Sequence, residues 1–123
     1  MPELPEVETI KRELAPHVVG RTFTSVTVCD AKPIKQPAPD EFCRKLAGQK
    51  INSLERRGKY LIFHLSNSEA LIIHLRMTGA LLLNPKDPDR ARVIFHFDDS
   101  SQLAFTDRRR LGAIWLAEDA KTV

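Results

Sequence analysis

The sequence predicts an α+β fold that is mainly β: a two-layer antiparallel β-sandwich flanked by two α-helices, the first at the N-terminus. Three observations carry this. Apolar residues recur at helical spacing only near the start and once more around residue 43. From Lys50 onward the hydrophobic period changes to two. Short turn-rich breaks then separate one strand-length run from the next, the pattern of a sandwich or barrel.

The elements follow in order. From Glu3 to Leu14, Leu4, Val7, Ile10 and Leu14 share one helix face, and Pro16 is expected to close the helix. After Gly20, Thr22 to Val28 is β-branched and alternating, which suits a strand. Lys32 to Pro39 holds three prolines and reads as a loop. Asp40 is placed to cap a short helix that runs to about Leu46 and ends at Gly48. Seven strands are then expected: 51–56, 60–65, 70–75, 80–83, 92–98, 102–106 and 113–116. Their breaks are Arg57-Gly58, Ser66-Asn67-Ser68, the segment from Asn84 to Pro88, and Asp98-Asp99-Ser100. No internal repeat or low-complexity tract interrupts the 123 residues, which suit one domain with a sizeable core.

Composition narrows the function classes. With 42% hydrophobic and 28% charged residues the chain is of globular type. The longest apolar runs, near Leu71 and Leu81, are too short to cross a bilayer as a helix, so a soluble, intracellular protein without membrane partners is expected. Cys29 and Cys43 stand alone, without histidines at ligand spacing, which excludes a zinc module or a disulfide framework; two free thiols suit a reducing cytosol. His17, His64 and His96 show neither metal nor triad spacing and are expected to be ordinary surface or strand residues. The net charge of +3 and a pI of about 9.1 permit a polyanionic partner. The charge is also localised, in Lys50, Arg56, Arg57 and Lys59 and again in Arg108, Arg109 and Arg110.

The first eight residues, Met1-Pro2-Glu3-Leu4-Pro5-Glu6-Val7-Glu8, carry the chemistry. Prolines and carboxylates suit the first turn of a helix. Removal of Met1 would also leave Pro2 with a free secondary amine. An α-amino group titrates near about 7.7–8, so a useful fraction is uncharged at neutral pH. Such an amine attacks carbonyl carbon, and its adduct with an aldehyde is a cationic iminium, an electron sink for elimination. Glu3 and Glu6 fall on one helix face, close to that amine.

Three further motifs stand downstream. Arg56-Arg57-Gly58-Lys59-Tyr60 places cations at a tight turn, where Lys59 can meet a phosphate. His74-Leu75-Arg76-Met77-Thr78-Gly79 ends an apolar run at a turn, and an unbranched methionine there can fill a gap in a base stack. Thr106-Asp107-Arg108-Arg109-Arg110-Leu111-Gly112 combines three cations with an apolar tip.

These four stretches, in this order over residues 1–112, resemble those of bacterial formamidopyrimidine-DNA glycosylases, the oxidised-purine branch of their family. They fit that branch better than its sister branch, which typically opens M-P-E-G-P-E. The resemblance implies base-excision repair of double-stranded DNA: removal of 8-oxoguanine and formamidopyrimidines through a Pro2 Schiff base, then β- and δ-elimination at the abasic site. It gives catalytic roles to Pro2, Glu3 and Glu6. Lys59 falls to both catalysis and DNA contact. Met77 would fill the gap left by the extruded base, Arg109 would face the orphaned base, and Leu111 would wedge beside it. There the family carries an aromatic, so stacking is lost. Arg92 is placed at a phosphate contact.

The resemblance also implies a monomer in the bacterial cytoplasm, associated with DNA. Relatives run to more than twice this length, and their second half holds a helix–two-turns–helix module and a four-cysteine zinc finger. This chain is accordingly expected to be the N-terminal catalytic domain, residues 1–123, with no zinc of its own and with weak or absent excision activity in isolation. Two other readings stay open: a non-catalytic basic DNA-binding β-domain, and a tautomerase-like enzyme that uses an N-terminal proline on small molecules.

Overall fold

The computed structural model describes residues 4–76, 78–87 and 90–119. Among these residues, two helices and nine strands form around one main core in the order α1 (Leu4–Val18), β1 (Phe23–Val28), β2 (Ile34–Gln36), α2 (Pro39–Leu46), β3 (Ile51–Arg57), β4 (Tyr60–Leu65), β5 (Ala70–His74), β6 (Gly79–Leu83), β7 (Ala91–Phe97), β8 (Gln102–Asp107) and β9 (Ala113–Ala117). One sheet has the order β1-β7-β8-β6 and the other β2-β9-β5-β4-β3. Alternation along the strands turns one face of each sheet inward. Phe23, Val93, Phe95, Leu103 and Phe105 meet Leu61, Phe63, Leu71, Ile73 and Ile114 in a common core. Helix α1 packs on β3 and β4, and α2 on β1 and β2. Phe42 of α2 reaches Phe95 with ring centroids 6.4 Å apart, and Phe95 in turn meets Phe23 at 5.7 Å.

The seven strands expected after Lys50 and the strand near Thr22 are all present, with ends that differ by a residue or so. Three expectations are corrected. Helix α1 continues through Pro16 to Val18. Val18 is fully buried and Val19 N–H still reaches the Ala15 carbonyl at 3.0 Å, so tertiary burial outweighs the one backbone bond that proline removes. Helix α2 opens with Pro39 at its first position, and Ala38 precedes it without a side-chain cap. Asp40 therefore lies inside the first turn, where its charge complements the helix dipole.

The proline-rich loop contains a short strand, β2, that pairs in parallel with β9. The larger sheet is consequently mixed rather than wholly antiparallel. Ile34 is the residue this pairing buries, and the Ile114 N–H donates to the Pro33 carbonyl at 2.8 Å. Three residues between prolines carry too little periodicity to announce a strand whose partner lies some 80 positions away.

Candidate DNA-facing site

The register of the larger sheet assembles the site. Strand β4 begins at Tyr60, which pairs with His74 at the end of β5, and His74 pairs with Ala113 at the start of β9. The β3–β4 turn, the β5–β6 connection and the β8–β9 connection must therefore leave the same end of the sheet. Those are the three basic motifs. Sequence-distant cations thus converge because β4, β5 and β9 are antiparallel neighbours.

Helix α1 is tied to this end. Arg56 Nε donates to Glu8 Oε1 at 2.8 Å, and Arg56 Nη1 donates to the Gly58 carbonyl at 3.0 Å. Glu8 also accepts from Arg12 at 3.0 Å. Arg56 beside it holds its carboxyl below the usual range. Gly58 sits at φ 61°, a backbone conformation that side chains disfavour, and this lets Arg57 pair directly with Tyr60 across a two-residue turn. Lys59 follows, half-buried.

His74 is buried at the strand end, and its ring meets Tyr60 edge-on at 4.7 Å. Its Nδ1 accepts the Arg76 N–H at 3.0 Å. Burial lowers its pKa, with Arg76 and Lys59 adding charge repulsion. The neutral ring with its proton on Nε2 is the form this geometry requires.

Asp107 organises the third motif. It is only 1% exposed. Its Oδ1 accepts the Thr78 hydroxyl and the Arg110 N–H (3.1 Å), and its Oδ2 accepts the Gly112 N–H at 2.5 Å. Burial opposes its ionisation, but the Thr78 hydroxyl and the backbone N–H groups of Gly112, Arg109 and Leu111 prevail and leave the pKa lowered. Gly112 has no room for a side chain: a Cβ would stand 2.6 Å from the Phe105 ring and 3.2 Å from the His74 carbonyl.

The cations divide into two groups. Arg110 grips Asp30 through Nε (2.6 Å) and Nη2 (3.0 Å). Arg92 donates to the Asp107 carbonyl at 3.1 Å and lies 3.7 Å from Asp30. Arg57 pairs with Glu55, which His64 also contacts at 2.6 Å. Among the described residues, Lys59, Arg76, Arg108 and Arg109 have no carboxylate at ion-pair distance. Of these, Arg108 lines an open cavity of about 780 Å³ together with Asp30, Thr78, Arg92 and Asp107.

Of the sequence-predicted residues, the structure thus gathers Lys59, Arg92, Arg109 and Leu111 at one end of the sandwich. Arg109 is exposed, and Leu111 is 38% exposed at the loop tip. Glu6 lies exposed in the first turn of α1. Pro2, Glu3 and Met77 lie outside the described residues. Arg92 is engaged with Asp30 and Asp107, so internal partners already hold its guanidinium. Sequence reading missed Glu8, Asp30, His74 and Asp107 as supports of the site. Glu8 carries no sequence signal beyond its place in a helix, and the Thr-Asp pair ahead of three arginines was the one signal for Asp107. Among the described residues no three His, Cys, Asp or Glu side chains are grouped to hold a metal ion.

Comparison with known proteins bears on the chain and its fold as a whole. The family described as formamidopyrimidine-DNA glycosylase N-terminal domain matches residues 1–114. A formamidopyrimidine-DNA glycosylase of Carboxydothermus hydrogenoformans is 48% identical over 91% of this chain and 43% of its own length. One from Mycobacterium leprae is 43% identical over the whole chain and 44% of its own. The Lactococcus lactis formamidopyrimidine-DNA glycosylase, solved with DNA containing an abasic site, superposes with a TM-score of 0.86 at 34% identity, over 94% of this chain and 45% of that one. The same enzyme has been solved with DNA containing a formamidopyrimidine lesion, at the same TM-score. The chain therefore spans less than half the length of these relatives.

Proposed function

Since the chain belongs to the formamidopyrimidine-DNA glycosylase family, we propose that it is the N-terminal, catalytic part of a base-excision repair enzyme. Its substrate is double-stranded DNA carrying 8-oxoguanine or formamidopyrimidine lesions, and its setting is the bacterial cytoplasm. The observation that carries this reading is the convergence of Lys59, Arg76, Arg108 and Arg109, which have no carboxylate partner among the described residues, at the end of the sheet to which Arg56 ties helix α1.

A base inside a duplex hides its sugar, so the nucleotide must be extruded at a cost of a few kcal/mol. Met77 and Leu111 hold the gap, Arg109 meets the orphaned base, and Lys59 binds phosphate beside the extruded nucleotide. The Pro2 amine then attacks the anomeric carbon and the base departs with a proton. Ring opening gives the iminium, which withdraws electrons from the neighbouring carbon. Loss of the proton there expels the 3′-phosphate, and a second elimination expels the 5′-phosphate. Glu3, next to the amine, shuttles protons, and Glu6 acts as a secondary acid or positioning group. The resemblance puts the family's zinc finger in the second half of its members, outside the residues that carry these steps.

Borohydride reduction with abasic-site DNA tests the reading. A covalent adduct that disappears in Pro2→Gly, and with Met1 retained, is the expected result. No adduct from the wild-type chain would favour a non-catalytic DNA-binding domain, the second reading that the cationic surface supports. An activity on small molecules that ignores competitor DNA and loss of Arg109 would instead indicate a tautomerase-like enzyme.

A further inference from the structure

We propose that the bond from Thr78 to Asp107 locks the β5–β6 turn to the β8–β9 loop, so that the two loops enter DNA as one rigid unit. This makes Thr78 and Asp107 positioning residues for recognition of the orphaned base. The inference rests on the functional reading above and extends it to residues that touch no DNA.

Both loops cross from one sheet to the other, and they are separated by 29 positions at this bond. One buried carboxylate serves both. It receives the Thr78 hydroxyl from the first loop and the Arg110 and Gly112 amides from the second. A second contact reinforces the junction, because Gly112 packs against the His74 carbonyl with no space for a Cβ. Backbone shape supports the same conclusion. Arg76 and Arg110 both hold positive φ, 53° and 58°, and such residues stay put only where their surroundings over-determine them. A buried carboxylate with three N–H or O–H donors has few alternative arrangements, since any donor that leaves exposes an uncompensated charge. Arg109, at the exposed apex, is thereby aimed by a group two residues before it.

Rigidity of this kind is useful at a wedge. Two loops that each had to be ordered on binding would lose conformational entropy separately; a pre-joined pair has already lost it.

Five proteins decide the matter: the wild-type chain; Thr78→Val, which removes the hydroxyl at similar volume; Thr78→Ser, which restores it; and Arg109→Ala, alone and combined with Thr78→Val. Asp107 is kept, since its loss would strand two backbone amides and unfold the loop. The first readout is amide deuterium exchange without DNA. Thr78→Val is expected to speed exchange at Arg110 and Gly112 about fivefold, the effect of losing one hydrogen bond, with β4 and β5 unchanged and Thr78→Ser like wild type. Unchanged exchange at Arg110 and Gly112 overturns the linkage. The second readout is binding to a duplex with an abasic site opposite 2-aminopurine. Arg109→Ala is expected to cost several-fold less affinity and fluorescence change in the Thr78→Val background than in wild type. Additive losses overturn the proposal. A wild-type chain that fails to prefer abasic over intact duplex would sink the functional reading and its DNA consequence, whereas the exchange result still decides the linkage.

Discussion

Glu8 of helix α1 and Arg56 of strand β3 meet at 2.8 Å, and the same guanidinium holds the Gly58 carbonyl at 3.0 Å. One side chain therefore spans from the N-terminal helix to the turn that presents Lys59. In the proposed chemistry those two elements bring the nucleophile and the phosphate contact, so the spacing between them matters more than the stability of the pair.

Arg56→Met should keep the aliphatic stem and lose the strut. Borohydride trapping of abasic-site DNA is expected to fall on the order of tenfold, as a small misplacement of reacting groups would cause. The thermal midpoint should move little, because an ion pair this open to water adds little stability. A large drop in midpoint with unaltered trapping per folded molecule would contradict this account.

His74 supplies a pH dependence. Its pKa is lowered by burial and by the charges of Arg76 and Lys59. The unfolded chain therefore takes up a proton before the folded one does, and folding stability declines as pH falls below about 6.5, then levels off once the folded ring is protonated. Urea midpoints measured between pH 8 and pH 5 should show the decline in wild type. In His74→Asn, whose side-chain oxygen can still accept the Arg76 N–H, that segment of the curve should be flat.

Gly112→Ala asks the Phe105 ring, the Asp107 carboxylate and the His74 carbonyl to retreat together. Overpacking at such a junction costs about 1–3 kcal/mol, to be read as a shift in the chemical denaturation midpoint. Gly58→Ala has open space around it, so its penalty would come from the positive φ alone.

Asp30 holds Arg110 by two nitrogens and stands near Arg92. Asp30→Asn should release Arg110 toward phosphate. Affinity for duplex DNA should rise at low salt, with a logarithmic salt slope steeper by about one unit, as for one added phosphate contact. An unchanged slope would mean that Arg110 stays bound to the protein.

Leu111→Phe places at this loop tip the aromatic that the sequence resemblance implies for the family. Its side chain is already exposed, so the change should not disturb the core. Binding to an abasic duplex should tighten by about 1 kcal/mol, the low end of base–aromatic stacking, with no gain on single strands lacking a gap.

Much of this was legible from the chain alone. The change of period at Lys50 and the turn residues after it predicted strands β3 to β9, since side-chain alternation is a local property. The order of the four motifs identified the family and named Lys59, Met77, Arg109 and Leu111. Other features depended on distant partners and had no local signal. Val18 keeps α1 helical past Pro16 because the core receives it. The strand β2 exists because β9 offers an unpaired edge to three residues between prolines.

The amino-acid sequence by itself determined which residues carry charge and reactivity, and at which turns they stand. Only the tertiary structure decided which of those charges are free. Antiparallel pairing of β4, β5 and β9 brings three basic connections to one end, and Glu8, Asp30 and Asp107 then engage Arg56, Arg110 and the loop backbone. A carboxylate's choice of partner is set by distances that folding creates between residues 48, 80 and 29 positions apart, and no spacing along the chain encodes it.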